Sequence, residues 1–283
     1  MKQLVLIAIS AILLMSFVPV TIKWISANEA TIGIVRLFIG VVGIALILLY
    51  KKRSIQLTGK DWFWLVSLGL VFAFHWYTYF KSIKLSDASL AAIGIATFGI
   101  HLLILNRIFY KEKLYATDFV AVVMAIGGIY LASPSVSLDA VKLEGFWISI
   151  FSGFLYGCLP LINRQISHLT TNTRALGQFG FALAGFCFLL PQSDFNLPVN
   201  DWYGLIFLGV FSTLIAHTLW NKASTELPGN FTAVIYYLYV PMAIIMGYFF
   251  LGEPMNWEKL TGAALIIAAN IWVALVHKKK QSS

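Results

Sequence analysis

Charge is what this sequence has least of. Of its 283 residues, 11% are Asp, Glu, Lys or Arg and 59% are hydrophobic, where soluble domains carry about 25% charged residues. That scarcity excludes an ordinary soluble globule, whose core would not need so much apolar surface. Acidic residues are rarer than basic ones, 12 against 20, for a net charge of +8. On a soluble protein that excess would suggest nucleic acid; on so apolar a chain it fits basic residues on cytoplasmic loops. There are only two cysteines, Cys158 and Cys187. Both lie in apolar runs and read as small buried residues, so neither a disulfide framework nor a metal site is supported. No polar stretch is long enough to hold a soluble domain. Paired carboxylates, an HExxH motif and a serine-nucleophile motif at membrane depth are also missing, which leaves an intramembrane enzyme as a remote alternative. No cofactor is called for.

What is there is a series of about ten apolar stretches, near 3–22, 29–49, 62–83, 88–109, 115–132, 144–163, 173–191, 202–223, 230–250 and 257–276. Each approaches the roughly 20 residues that a helix needs to span a bilayer. The connections are short and carry the Pro, Asn, Asp and Ser of turns. Lys2 followed by an apolar run has the look of a signal peptide. No small-x-small cleavage pattern follows before "VPVTIKW", and the run has a counterpart deeper in the chain, so it reads as a first span.

That counterpart belongs to an internal repeat. At an offset of 141, Pro19 meets Pro160, Trp76 meets His217, Tyr79 meets Trp220 and Glu112 meets Glu253. Asp61–Trp62 meets Asp201–Trp202 with one residue of slip, and Arg36 meets Gln178 with a slip of one the other way. Five spans per copy is an odd number, so the second copy enters the membrane from the opposite side. The expected fold is therefore all-α and integral to the membrane: ten transmembrane helices as two inverted five-helix repeats, 1–133 and 142–283, joined by a short external loop at 134–141. With the N-terminus in the cytoplasm, inside segments hold fourteen basic residues, among them Lys51, Lys52, Arg53 and the Lys278–Lys280 tail. Outside segments hold five: Lys23, Lys81, Lys84, Lys142 and Lys259. The asymmetry favours both termini inside.

Inverted repeats carry a mechanical implication: a site near the midplane where the halves meet, reached from alternating faces. The repeated proline reads as a repeated bend, since proline removes a backbone hydrogen bond and kinks its helix. Arg36, in the second span, the stretch "YFKSIKLSDASLAAI" and the segment "GYFFLGEPMNWEKLTGAALIIAAN" resemble the drug/metabolite transporter superfamily, specifically its EamA-type ten-helix members. The resemblance implies a carrier of small organic metabolites in the bacterial inner membrane, embedded in lipid, with no nucleic-acid partner, as a monomer or homodimer. An exporter of amino acids or other metabolites is the first expectation, and an uptake carrier for a vitamin, nucleoside or amine the alternative. The first copy departs from the family pattern: "YKEKL" stands where Gly-Glu is usual, and Ile100 is the counterpart of Pro241.

Polar residues inside spans are costly and therefore informative. A lone arginine at the depth of Arg36 costs at least about 2.5–3.5 kcal/mol unless partnered. It is expected to face protein and bond carbonyls or hydroxyls in a structural role, with substrate contact as the alternative. Thr213, His217, Trp220, Asn221 and Ser224 share one helix face by three- and four-residue spacing. Ser149, Ser152, Gly153, Tyr156, Pro160 and Asn163 share another, and Gly94, Thr97, Phe98 and His101 a third. The expected substrate-binding set is Trp76, Tyr79, His101, Tyr156, Asn163, His217, Trp220, Asn221 and Tyr237. Arg36, Pro19, Pro160, Gln178 and Pro241 are expected to be hinge or structural residues. His75 can be a packing histidine, and Gly153 with Gly157 reads as close helix packing. Trp220 lies near a span end and fits an interfacial belt as well as a site.

Overall fold

The computed structural model describes residues 2–51, 56–111, 115–132, 139–227 and 235–281, which hold helices and no strand. We number the helices α1 (Lys2–Trp24), α2 (Glu29–Tyr50), α3 (Gly59–Leu85), α4 (Ala88–Tyr110, interrupted once), α5 (Ala116–Ala132), α6 (Ala140–Gln165), α7 (Thr171–Cys187), α8 (199–226), α9 (Tyr239–Leu251) and α10 (Trp257–Gln281). Six of them, α1, α2, α3, α4, α6 and the stretch Val199–Trp220 of α8, are long and apolar enough to cross a membrane. Helix is the form such sequences must take, because a lone strand or loop would leave backbone polar groups unpaired in hydrocarbon. The starts are marked by side-chain caps: Asn28 accepts from Thr31, Thr170 from Thr173, and Thr58 forms a capping box with Asp61. The outside of the bundle is apolar, with Leu49, Phe119 and Phe249 among the exposed side chains.

Packing between the two halves comes in matched pairs. The first helix of each half lies against the third and fourth of the other: α1 on α8 and α9, and α6 on α3 and α4. The second helix of each lies against the third of the other, α2 on α8 and α7 on α3. The match reaches single residues. Gly69 of α3 admits Phe181 of α7, and Gly209 of α8 admits Ile39 of α2; these positions correspond with the same one-residue slips seen in the sequence. The helices α5 and α10 pack on each other, where Gly128 and Gly262 let the backbones approach.

The bends expected at Pro19 and Pro160 do not interrupt their helices. Both α1 and α6 run through their prolines as unbroken helix, Pro19 buried and Pro160 exposed. The breaks are in the fourth helix of each half, at Ala96–Thr97 and at Tyr237–Leu238, which are equivalent at the offset of 141. In the second half the cause is Pro241, whose ring would collide with the carbonyl four residues back, that of Tyr237. In the first half Ile100 has no such effect, and side chains make the turn instead. The Thr97 hydroxyl donates to the Gly94 carbonyl at 2.7 Å, and the Asn270 amide donates to the Ala96 carbonyl at 3.3 Å. The same break is thus made by two chemistries.

The third helix of the second half carries a difference of its own. Within α8, Leu208–Ile215 winds as a π-helix. Up to its first residues the repeat offset is 140 (Asp61 with Asp201, Gly69 with Gly209); after it the offset is 141 (Trp76 with His217). A π-turn absorbs one extra residue without ending a helix, so the slip in the sequence has a physical seat.

One end of the bundle is tied by polar contacts between the halves. The Asp201 carboxylate accepts from Ser26 N at 2.8 Å, Ser26 Oγ at 2.5 Å and Ala27 N at 3.2 Å. Glu253 accepts from the backbone of Ala88 and Ser89 and from the Ser89 hydroxyl, closing the N-terminus of α4. Lys259 donates to Asp87 and Ser89 and Lys142 pairs with Asp87 at 3.0 Å, while within the first half Lys23 donates to the Ser86 carbonyl and Lys84 to the Ile25 carbonyl. Glu112, the counterpart of Glu253, lies outside the described residues. Cys187, expected to be buried, is exposed, because it ends α7 on the outer surface; Cys158 is half-buried.

Candidate substrate site

A continuous cluster of rings sits at the seam between the halves. It starts at Arg36 of α2, which is 2% exposed. Its guanidinium lies over the Trp76 ring at 4.2 Å and the Phe80 ring at 5.1 Å, both on α3, and its Nε donates to Thr213 Oγ1 of α8 at 3.0 Å. The π-turn places that hydroxyl, which also donates to the Leu208 carbonyl five residues back. Arg36 therefore bonds a hydroxyl of the other half, as expected from the sequence, and Nη1 is left without a partner.

His217 enters from α8 among Phe72, Trp76 and Phe179, with ring centres 5.9–6.3 Å away. On the other side of α3, His75 is held by Ser152 of α6: Nδ1 lies 2.9 Å from the Ser152 hydroxyl, which itself donates to the His75 carbonyl. His75 is thus a satisfied packing residue whose ring carries Tyr156, stacked at 4.9 Å. Tyr156 stacks in turn on Tyr236, and Tyr236 meets Trp220 at 5.5 Å. The hydroxyls of Tyr79 and Tyr239 are paired at 2.5 Å across the seam.

The two broken helices meet inside this cluster. Phe98, just past the first break, touches Tyr236 at 5.0 Å and stacks on Tyr237, beside the second, at 5.6 Å. A methyl group on Gly99 would fall on the Tyr237 hydroxyl and Asn270 Oδ1, so only glycine admits that approach. Gly153 and Gly157 bring α6 against the first break, at Thr97 and Phe98, which is the close packing expected of them. Aromatic pairs of this kind contribute about 0.5–1.5 kcal/mol each beyond their burial.

Of the expected site residues, Trp76, Tyr79, Tyr156, His217, Trp220 and Tyr237 are brought together here. Tyr156, His217 and Trp220 are half-buried, while Trp76, Tyr79 and Tyr237 are buried. His101 points instead at Phe154, edge-on at 5.8 Å, with Nε2 unpartnered. Asn163 sits two turns beyond Tyr156, bonded to the Leu159 carbonyl and to Arg174. The side chain of Asn221 lies outside the described residues. Gln178 is half-buried on α7 beside Phe179. Asn270, Tyr239, Phe72 and Phe179 complete the cluster and were not in the expected set. Asn270 had a readable signal, a lone amide in the apolar run "LIIAANIW". Among the described residues no three His, Cys, Asp or Glu converge on a metal geometry. A separate apolar groove of about 590 Å³ lies between α3 and α7, lined by Trp62, Leu65 and Phe181, among others, and by none of the expected site residues.

A model of the EamA-like transporter family matches the chain twice, over residues 2–133 and 143–275. The chain belongs to the EamA-like transporter family. Two copies of one family unit thus account for nearly the whole sequence, and the apolar helices make this family member a multi-pass membrane protein. Among curated relatives, the uncharacterized transporter YyaM of Bacillus subtilis is 25% identical over 174 residues, which is 58% of this chain and 57% of that protein. The biotin transporter of Escherichia coli is 25% identical over 104 residues, 37% of this chain and 34% of that protein. Both of these relatives are named as transporters. A solved crystal structure shares the fold at a TM-score of 0.69 and 15% identity, covering 98% of both chains.

Proposed function

We propose that this EamA-family member carries small organic solutes across the cell membrane by alternating access, holding them in the ring cluster between two inverted halves, 1–133 and 142–283. The observation that carries this reading is the pair of helix breaks, Ala96–Thr97 and Tyr237–Leu238, at equivalent positions and in contact through Phe98 and Tyr237. Interrupted helices at a repeat interface are where carriers commonly place their site, because the bend exposes backbone and lets one half rock on the other. The matched packing of α1 with α6, and of α2 with α7, supports an antiparallel pair of units. Trp76, Tyr79, Tyr156, His217, Trp220 and Tyr237 form the substrate set, with His101 and Asn163 at its margins. Both termini lie in the cytoplasm, and the face tied by Asp201 and Glu253 is the outer one.

Export of an amino acid or other metabolite is the first reading. Vitamin uptake is the second, favoured by the likeness to a biotin transporter. Purified protein in liposomes, given a panel of labelled amino acids, biotin, nucleosides and amines, tests the proposal. Saturable flux of an unchanged solute, lowered at least tenfold in Trp76→Ala and His217→Ala, is the expected result. A solute that emerges chemically altered would point to an enzyme. A hit that moves equally well in both variants would place the site elsewhere.

A further inference from the structure

Among the described residues, Arg36 is the one charged side chain buried in the middle of a span. No carboxylate answers it. Each acidic residue described lies in a connection or within five residues of a helix end. The buried ones are engaged there: Asp87 with Lys142 and Lys259, Glu253 with the start of α4, Asp201 with Ser26 and Ala27, Asp61 with Thr58 and His168, and Asp118 with the Tyr115 amide. The guanidinium spends Nε on Thr213 and rests its plane on Trp76 and Phe80, while Nη1 donates to nothing. A packing role uses the plane and one edge of the fork; it leaves a second edge of a fixed, permanently charged donor set open. The Tyr79–Tyr239 pair lies one helical turn along α3 from Trp76, the ring that carries the guanidinium. That pair holds two hydroxyl protons and uses one between its members, so one O–H also remains to donate.

We infer that Arg36 is the counter-charge for the substrate, and that the solute is a carboxylate on an apolar or aromatic body. The inference rests on the transport reading above and narrows it. The carboxylate takes the open Nη1–H and the spare O–H of the tyrosine pair, both stronger donors toward an ion than toward a neutral acceptor. The body of the solute lies among Tyr156, His217, Trp220 and Tyr236, the half-buried members of the cluster. A cationic solute meets an uncompensated like charge, and a neutral one leaves a buried donor with a weaker partner. Apolar amino acids and biotin both belong to the favoured class.

The test compares acids with their primary amides, which match in shape and differ in charge: phenylacetate with phenylacetamide, L-phenylalanine with L-phenylalaninamide, and biotin with biotinamide. Binding to the purified full-length protein is read by quenching of tryptophan fluorescence. At least one acid should bind ten-fold or more tighter than its amide. Arg36→Gln should abolish that preference, bringing each acid and its amide within two-fold of one another, and Arg36→Lys should keep part of it. Equal binding within every pair, tighter binding of the amides, or no acid bound would overturn the inference. So would a folded Arg36→Gln protein that still prefers the acid, since Arg36 would then only pack. If Arg36→Gln does not fold, the wild-type ratio of acid to amide decides alone. Flux in liposomes separates the two readings: an acid bound through Arg36 but not carried defeats transport and leaves the counter-charge standing, whereas carriage of amides in preference to acids does the reverse.

Discussion

Two carboxylates at equivalent places in the repeat hold the chain by different means. Asp201, at the start of α8, takes three hydrogen bonds from the α1–α2 connection. Asp61, at the start of α3, faces the α6–α7 connection and meets it through His168 alone, at 2.9 Å, a side chain 60% exposed. Its other oxygen accepts from the Thr58 amide and hydroxyl in its own helix cap. The positions correspond, since Ala27 and His168 are also equivalent at the offset of 141. One backbone plan therefore supports a latch of fixed donors at one end and a latch through a solvent-facing imidazole at the other. Corresponding residues in a duplicated fold fix where a contact falls and leave its strength free to diverge.

Substitutions can break or sharpen that contrast. The largest effect is expected at Glu253, which stands beside Asp201 at the tied end. Glu253→Ala strips the first amides of α4 and the Ser89 hydroxyl of their acceptor and leaves Lys259 with less compensation. It should cost about 3–5 kcal/mol, the range for breaking a buried charged network, read by reversible SDS unfolding. Asp201→Ala comes next, at about 2–3 kcal/mol, because charge-assisted bonds to the loop are lost together. Asp61→Ala should lower the melting temperature by less than Asp201→Ala does; an equal loss would mean the two ends are equally bolted and would end the comparison. His168→Ala should leave the melting temperature unchanged within scatter, as exposed ion pairs contribute little. A clear drop there would make the imidazole a structural partner of Asp61.

Much of the architecture is legible in the sequence. The apolar stretches and the residue slips come from spacing, and apart from the start of the ninth, part of which lies outside the described residues, the helix boundaries fall within five residues of the apolar stretches. The site is partly legible. Trp76, Tyr79, Tyr156, His217, Trp220 and Tyr237 converge because a polar or amphipathic residue in a span needs company, and the seam is where company is found. The breaks are not where a proline inside a helix would put them. Pro241 sits four residues past its break, and the first copy makes the same turn with Thr97 and Asn270, a pair 173 residues apart that no local pattern connects. The role of Asp61 and Asp201 is hidden for the same reason: "DW" shows that they match and nothing about the loops they hold. Spacing marks Arg36 as costly; what it cannot tell is that one edge of the fork stays open.

The wide turn at Leu208–Ile215 amounts to a spacer inserted into a finished rod. Each residue of an α-helix advances the side chains by about 100°, so one extra residue in a plain helix would swing His217 and Trp220 by that angle relative to Asp201 at the far end. The wide turn takes up that rotation where it arises. Removing one residue between 208 and 215 should therefore tighten the rod without re-aiming its far end, whereas adding one there would turn the ring-bearing face away from Trp76.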